Sequence, residues 1–426
     1  MVTGTAVAFG LCALLGAGSA PASSDVEWSA NWRCDLEGRG AACGASADLD
    51  GDGLPEIVVV RYHREEGGAV FAIDGRTGRV RWRRVIDRPP YGVADLNQDG
   101  TAEVVVVRGH ELAVLAGSDG APVAAAGTRG IAGALAVGDL GGDGRPEILC
   151  ASGIDADDSL VALSGSGLDV LWDRRATVEN GPFESGLSHV VCADVDGDGG
   201  DEVLAAENGN RLVCVGPNGA EIWGTTLGEK SRLRPHGVVS SDPCVFHLGG
   251  GFRGVAVGCF AGALVVCDAE TGEIVGRTLH GSEAHERHIG RRRLPSFIAR
   301  ALRETGEPVS NICALGDTLV FGCSDGRLYA VRAADQSVLW SFDCEGTVYE
   351  RCVPVEASAP GVRAILAWDE RRVYLLDAAT GREVPSSGKP GSGASAILAG
   401  DFDGDGGQDV IVVGALGRTV TAWSLR

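Results

Sequence analysis

The sequence repeats one acidic nine-residue loop five times, each time between two short apolar segments. The first copy, Asp48–Glu56, reads Asp-Leu-Asp-Gly-Asp-Gly-Leu-Pro-Glu, and the other copies span residues 95–103, 139–147, 194–202 and 401–409. Such repetition is the signature of architectures in which each unit buries its faces only against neighbouring units. The chain is therefore expected to fold as one array of repeats.

A second pattern follows the loops and completes the repeat. In its clearest copy, Val70–Trp82, an apolar strand leads through a turn containing Thr77 and Gly78 into a strand that carries Trp. Related segments end at Trp172, Trp223 and Trp340, and versions without Trp occur at residues 112–123, 264–275 and 373–384. Each repeat thus contains four predicted strands.

Four strands per unit, at a spacing of about 40–60 residues, favour the blades of a β-propeller. Seven third strands precede a turn and a fourth strand, whereas an eighth, Thr419–Ser424, ends without one. The N-terminal segment Val26–Arg33 resembles an outer strand with no blade before it. The sequence therefore predicts an all-β fold, a single β-propeller of eight four-stranded blades, closed by Val26–Arg33 beside residues 420–424.

Blades five to seven lack the acidic loop, so the acidic loops should form one contiguous arc from the eighth blade to the fourth. An insertion at residues 280–311 separates blades five and six, with a short helix expected at residues 296–303. It contains His280, His285 and His288 beside a run of arginines. This cluster could bind an anion or a transition metal, although a solvent-exposed loop between blades is the simpler interpretation.

The first 22 residues contain no charged side chain and end in a small-residue segment. We expect residues 1–22 to be a signal peptide, with the propeller at residues 23–426, although a short anchor or a misplaced start is an alternative. The expected location is secreted, periplasmic or on the cell surface. No other segment is long enough to span a bilayer. The formal net charge of −21 makes nucleic acid an unsuitable partner.

The acidic loops have the composition of calcium sites. Calcium takes six to eight oxygen ligands, which carboxylates at loop positions 1, 3 and 5 and a backbone carbonyl at position 7 can supply. A further carboxylate at position 9 begins the next strand. The candidate ligands are Asp48, Asp50, Asp52, Leu54, Glu56, Asp95, Asn97, Asp99, Thr101, Glu103, Asp139, Asp143, Arg145, Glu147, Asp194, Asp196, Asp198, Gly200, Glu202, Asp401, Asp403, Asp405, Gly407 and Asp409.

The five loops differ in their carboxylates. The first, fourth and fifth are complete, Asn97 replaces one carboxylate in the second, and Gly141 removes one from the third, which should bind most weakly. Asp-Gly turns also form without metal. We nevertheless expect several structural Ca²⁺ ions, since converging carboxylates repel one another without a cation. Mg²⁺ fits these oxygen-rich loops less well.

The chain has 13 cysteines, and removal of Cys12 with the leader leaves an even number. Two pairs, Cys34 with Cys43 and Cys344 with Cys352, span links between an outer strand and the next inner strand. Both are candidates for disulfide bonds in an oxidising compartment.

The Asp-x-Asp-Gly-Asp-Gly loops resemble FG-GAP or VCBS-type repeats, the calcium-binding propeller repeats also found in integrin alpha chains. The segment Asp74-x-x-Thr77-Gly78-x-x-x-Trp82 is similar to the quinoprotein-like propeller repeat. Together these resemblances cover nearly all of residues 26–426. They imply architecture more than activity, because such repeats occur in adhesion proteins, lectins, lyases, dehydrogenases and scaffolds.

A monomeric binding or scaffold module for an unknown protein or glycan, without catalysis, is the function we expect. A polysaccharide lyase or lectin is the alternative, with Tyr62, Tyr91, Tyr349 and Trp368 as candidate sugar-stacking residues. A quinone-dependent dehydrogenase fits less well, because the chain lacks the adjacent cysteines that this resemblance would require.

Overall fold

The fold is known from a computed structural model. The structure describes residues 26–38, 40–63, 65, 67–86, 88–108, 111–127, 131–152, 159–176, 187–207, 210–228, 239–259, 262–279, 309–323, 326–344, 352–356, 363–369, 371–388, 390, 393–414 and 417–425. The expected signal peptide, the expected helix at residues 296–303 and the histidine and arginine cluster lie outside this part of the chain. No helix in the described ranges is long and apolar enough to cross a membrane.

The described residues form eight β-sheets, one per blade. The strands are β1 (Val26–Asp35); in blade 1, β2 (Ala41–Ala47), β3 (Glu56–His63), β4 (Gly67–Ile73) and β5 (Val80–Ile86); in blade 2, β6 (Arg88–Ala94), β7 (Glu103–Arg108), β8 (Glu111–Leu115) and β9 (Pro122–Gly127); in blade 3, β10 (Ile131–Gly138), β11 (Glu147–Ser152), β12 (Ser159–Ser164) and β13 (Val170–Arg175); and in blade 4, β14 (Ser188–Ala193), β15 (Glu202–Glu207), β16 (Arg211–Val215) and β17 (Glu221–Thr226).

The remaining strands complete the ring. They are, in blade 5, β18 (Cys244–His247), β19 (Arg253–Cys259), β20 (Ala263–Asp268) and β21 (Ile274–Leu279); in blade 6, β22 (Val309–Leu315), β23 (Thr318–Cys323), β24 (Arg327–Arg332) and β25 (Val338–Asp343); in blade 7, β26 (Val353–Glu356), β27 (Arg363–Trp368) and β28 (Val373–Asp377); then β29 (Ser386–Ser387); and in blade 8, β30 (Ala394–Gly400), β31 (Asp409–Gly414) and β32 (Thr419–Leu425).

The N-terminal strand closes the ring, as the sequence predicted. β1 pairs antiparallel with β32, from Trp28 opposite Leu425 to Asp35 opposite Thr419. The first and last described strands therefore belong to one blade, and the pairing covers the edge that β32 would otherwise expose. The predicted all-β, eight-bladed propeller is confirmed.

Blade 7 departs from the predicted pattern. Its expected fourth strand is reduced to a bridge between Leu376 and Glu383. Pro385, two residues further along, cannot donate to the ladder, and its carbonyl instead accepts the Val26 N–H. The chain then continues as β29, which pairs in parallel with β1. The residues of this outer strand thus reach across to the closing blade.

The core consists of apolar clusters between neighbouring blades. One cluster joins Val58 and Val60 of β3 to Val104 and Val106 of β7, and all four side chains are buried. Second and third strands are buried on both faces, which explains their continuous apolar sequences.

Tryptophans dock five of the described outer strands onto the next blade. The indole N–H donates to a backbone carbonyl in the next blade's turn at 2.5–3.0 Å: Trp32 to Gly75, Trp82 to Gly117, Trp172 to Pro217, Trp223 to Ala269 and Trp340 to Ala378. The ring lies against a glycine with positive φ, where an added Cβ would come within 2.3–2.9 Å: Gly78, Gly120, Gly219, Gly272 and Gly381. Any side chain at these glycines would occupy the volume of the ring.

Two blades replace the Trp–Gly pair with a complementary pair. In blade 2 the docking position holds Ala124, and Leu168 takes the place of the turn glycine with φ of 58°. In blade 5 it holds Gly276, and Gln336 occupies the turn with φ of 53°. A Cβ on Gly276 would lie 2.1 Å from the Gln336 side chain. The Gln336 amide donates to Ala333 O, the carbonyl that corresponds to the acceptor of a docking indole.

A β-bulge precedes every docking position in the described outer strands. The register of each outer strand shifts by one residue there, so that the residue before the docking position has no cross-strand partner. Such bulges redirect a side chain out of the regular pleat. The bulged residues are Asn31, Arg81, Val123, Leu171, Ile222, Val275 and Leu339.

Neither expected disulfide is present, since the cysteines in the described ranges are thiols. Cys34 is buried in the cluster between blades 8 and 1, whereas Cys43 packs against the cluster between blades 1 and 2. The Cys352 thiol donates to Val320 O at 3.7 Å and also interacts with the Cys313 thiol, while Cys344 packs against the same cluster. Side-chain direction, which sequence spacing does not give, separates Cys34 from Cys43.

Trp docking predicts different effects for two glycine substitutions in blade 2. Gly120→Ala should lower the free energy of unfolding by roughly 1–3 kcal/mol, because its Cβ overlaps Trp82 and its φ is positive. Gly127→Ala is the control, since nothing lies within 4 Å of its Cβ. Equal stability of both variants in chemical denaturation would contradict the docking account.

Candidate metal centre

The acidic loops connect the first strand of a blade to the second. We number them loop 1 (48–56), loop 2 (95–103), loop 3 (139–147), loop 4 (194–202) and loop 5 (401–409). Neighbouring loops touch: Ala102 N–H donates to Asp48 O at 2.8 Å, and Asp201 N–H to Asp139 O at 2.7 Å. An added Cβ on Gly404 would lie 3.2 Å from Leu54, which places loop 5 beside loop 1. The predicted contiguous arc is therefore present.

All five loops share a backbone with positive φ at positions 4 and 6. Position 6 is glycine throughout, with φ between 80° and 96°, as the sharp turn requires: Gly53, Gly100, Gly144, Gly199 and Gly406. Position 4 is glycine except in loop 2, where Gln98 has φ of 62°. The loops thus have one geometry despite their different carboxylates.

The carboxylate at position 1 holds the turn together. Its Oδ2 accepts the N–H of the position-6 glycine at 2.7–3.2 Å in every loop, from Asp48, Asp95, Asp139, Asp194 and Asp401. The position-5 aspartate accepts the N–H of position 7 at 2.6–2.9 Å: Asp52 from Leu54, Asp99 from Thr101, Asp143 from Arg145, Asp198 from Gly200 and Asp405 from Gly407.

The carboxylate at position 9 is the floor of each loop, buried in four loops and half-buried at Glu147 in loop 3. One of its oxygens accepts the N–H of position 2 at 2.9–3.3 Å: Glu56 from Leu49, Glu103 from Leu96, Glu147 from Leu140, Glu202 from Val195 and Asp409 from Phe402. Burial raises the pKa of Glu56 to about 7, while the Leu49 N–H and Arg81 act in the opposite direction. Burial likewise raises the pKa of the other four carboxyls.

Three loops bring carboxylates from positions 1, 3 and 9 within 4.8 Å of one another: Asp48, Asp50 and Glu56; Asp194, Asp196 and Glu202; Asp401, Asp403 and Asp409. These are the loops with complete carboxylate sets. In loop 2, the Asn97 amide donates to Glu103 at 2.7 Å, and in loop 3 position 3 is Gly141. An all-oxygen, anionic donor set on a tight loop suits a hard divalent cation.

Two side chains from outer strands enter the loops, and the sequence analysis missed both. Arg81 Nη1 lies 2.5 Å from Asp50 Oδ2 and 3.4 Å from Glu56 Oε1 in loop 1. In loop 5, the Asn31 amide donates to Asp409 Oδ1 at 3.2 Å. Both are the bulged residues that precede a docking Trp. Position relative to that Trp is the sequence signal that could have revealed them.

Two of the four candidate sugar-stacking aromatics are core residues. Tyr91 is fully buried and Trp368 is 5% exposed. Tyr62 is half-buried, and Tyr349 lies outside the described residues. Tyr91 and Trp368 therefore cannot offer a ring face to a sugar, and that part of the expectation is wrong.

Comparisons with known proteins agree with both repeat resemblances. A quinoprotein-like repeat model described as "Outer membrane protein assembly factor BamB" matches residues 145–342, and the "FG-GAP-like repeat" model matches residues 95–150. No curated protein matches the chain.

Several solved structures share the fold. BamB from Moraxella catarrhalis is 15% identical, with a TM-score of 0.56 over 93% of this chain and 97% of that chain. Quinohemoprotein alcohol dehydrogenase from Comamonas testosteroni is 14% identical, with a TM-score of 0.63 over 93% of this chain and 76% of that one. The computationally designed Ika8 protein is 14% identical, with a TM-score of 0.57 over 92% and 98%. At these identities the likeness shows the propeller fold.

The floor carboxylate predicts a contrast between two substitutions in loop 4. Glu202→Ala leaves the buried Val195 N–H without its acceptor and should lower the free energy of unfolding by about 1–3 kcal/mol with or without calcium. Glu202→Gln keeps an acceptor and removes a buried charge, so it should be destabilising only when calcium is present. Equal losses for both variants in chelator would contradict this role. Denaturant titrations in the two buffers measure the difference.

Proposed function

We propose that this protein is an exported, non-catalytic β-propeller that binds several structural Ca²⁺ ions and serves as a binding or scaffold module. The observation that carries the proposal is the set of three acidic clusters, in loops 1, 4 and 5, on a shared loop geometry. Loops 2 and 3 are weaker candidates because they lack the position-3 carboxylate. Export follows the sequence expectation for residues 1–22.

Calcium would stabilise the ring rather than take part in chemistry. Each position-1 carboxylate already binds its own loop, and neighbouring loops are joined by backbone hydrogen bonds such as Ala102 to Asp48. A cation bound to one loop therefore also restrains the next. Binding to the folded chain alone raises its stability by mass action. Calcium suits these loops better than Mg²⁺, which retains several waters and requires near-octahedral geometry.

A protein is the ligand class we favour over a glycan. The match to a model described as an outer membrane protein assembly factor supports it. Against the glycan, Tyr91 and Trp368 are buried in the core. A polysaccharide lyase would form unsaturated sugars with ultraviolet absorbance, which we expect to be absent. Turnover of a uronic-acid polysaccharide would contradict the non-catalytic role.

A quinone-dependent dehydrogenase is the less favoured enzyme. The structural likeness to a quinohemoprotein dehydrogenase supports the shared fold, but this chain contains no adjacent cysteine pair. The docking tryptophans are also committed to blade contacts, as with Trp82 on Gly120. We expect no dye reduction with alcohols after incubation with the quinone and calcium. Dye reduction under these conditions would favour the enzyme.

The calcium proposal predicts a melting temperature that depends on chelator. Removal of calcium should lower it, and titration calorimetry should show heat of binding. Asp194→Asn should reduce both effects, whereas Asp143→Asn in the incomplete loop 3 is the matched control with a smaller effect. Unchanged melting in chelator with no binding heat would mean that the loops are only turns.

Loop 3 can be completed by a single substitution. An added Cβ at Gly141 would meet only Asp143, at an ordinary 3.8 Å, so Gly141→Asp should be accommodated. It should raise the calcium affinity of loop 3 and increase the calcium-dependent gain in melting temperature. Gly141→Asn is the neutral control. Identical calcium titrations for the two variants would argue against metal binding at position 3.

A further inference from the structure

The bulged residue of an outer strand can reach the acidic loop of its own blade. In blade 1, Arg81 contacts Asp50 and Glu56 of loop 1. In blade 8, Asn31 contacts Asp409 of loop 5. The equivalence of these contacts follows from the shared bulge, which displaces each side chain just before the docking Trp.

Blade 4 has the same bulge with a different side chain. Ile222 occupies it and is 52% exposed. In the described part of the chain, no ion pair joins a basic side chain to the loop 4 cluster of Asp194, Asp196 and Glu202. The guanidinium of Arg253, in blade 5, lies against Gly197 of this loop. Loops 1 and 4 therefore have the same three clustered carboxylate positions but different surroundings.

Arg81 is held firmly in its position. It makes a third ion pair with Asp74, at 3.6 Å, and its side chain is 26% exposed. A guanidinium stays protonated at every ordinary pH, so it is a permanent positive charge among these carboxylates. A metal ion entering loop 1 would have to displace Arg81 and break its contacts with Asp50 and Glu56. A metal ion entering loop 4 displaces no ion-paired arginine of the described residues.

We propose that the bulged residue determines which cation each complete loop binds. Loop 1 is neutralised by the chain's own Arg81 and does not bind calcium tightly, whereas loop 4, whose clustered carboxylates pair with no arginine of the described residues, is the principal calcium site. Loop 5 also binds calcium, because Asn31 is a neutral donor that leaves the cluster its full negative charge. This assignment rests on the proposed calcium-binding function and separates loops that have the same carboxylates.

Exchange of the two bulged residues tests the assignment. Arg81→Ile removes from loop 1 the guanidinium that pairs with its carboxylates, and Ile222→Arg introduces a guanidinium at the equivalent position of blade 4. The full-length chain is titrated with calcium by calorimetry, and bound calcium is counted by equilibrium dialysis. Arg81→Ile should gain one tight calcium equivalent, with affinity at loop 1 raised about tenfold or more. Ile222→Arg should lose one equivalent.

Arg83→Ile is the matched control for charge. It removes one arginine from the same strand, and Arg83 contacts Phe71 rather than loop 1. Its calcium stoichiometry should equal that of the unaltered chain. Folding is verified for every variant by far-ultraviolet circular dichroism. Arg81→Lys is a second variant that keeps the positive charge, and it should not gain a tight calcium equivalent at loop 1.

The outcomes separate this inference from the proposed function. If the unaltered chain binds calcium but Arg81→Ile leaves the stoichiometry and affinity unchanged, Arg81 does not control loop 1 and the inference is wrong. If Arg83→Ile also gained one tight calcium equivalent, the gain would reflect the change in net charge alone, and the inference would again be wrong. If neither the unaltered chain nor Arg81→Ile binds calcium, the proposed function itself fails.

Discussion

The contact between an outer-strand side chain and the next blade's turn is the interaction on which the ring depends. Five blades use Trp against a glycine with positive φ, and two further junctions preserve the filled volume with Ala124 and Leu168 or with Gly276 and Gln336. The large side chain lies on the outer strand at the five Trp junctions and on the turn at the other two. A single blade cannot bury its own faces, so these contacts stabilise the ring by joining each blade to the next.

The same outer strands link packing to electrostatics. In blades 1 and 8, the bulge that precedes the docking position places one residue against the acidic loop of the blade. Arg81 neutralises the loop carboxylates internally, while Ile222 leaves them available to an external cation. Burial of the floor carboxylate raises the pKa of Glu56 to about 7, so a nearby positive charge favours the charged form of this carboxyl. In our account, the repulsion between loop carboxylates is relieved by an arginine of the chain in blade 1 and by a bound cation in blade 4.

Much of the architecture could be predicted because it is periodic. The loop at Asp48–Glu56 recurs with the same internal spacing, and the unpaired strand Val26–Arg33 matches the missing strand after Ser424. The parts that escaped prediction depend on side-chain direction or on distant segments. Arg81 reaches Asp50 across the blade, and Cys34 and Cys43 point into different interblade clusters. Pro385 is a local signal for the shortened outer strand of blade 7, but the pairing of β29 with β1 joins segments far apart in the sequence.

The most direct test of the closed ring is amide hydrogen exchange of the full-length chain beside a variant that lacks residues 26–33. β1 supplies the antiparallel partner of β32, and Trp32 docks blade 8 onto blade 1. The account predicts faster exchange in β31 and β32 of the variant and a loss of protection that extends into blade 1. Unchanged protection in these strands would show that the ring holds without its N-terminal strand and would contradict the account.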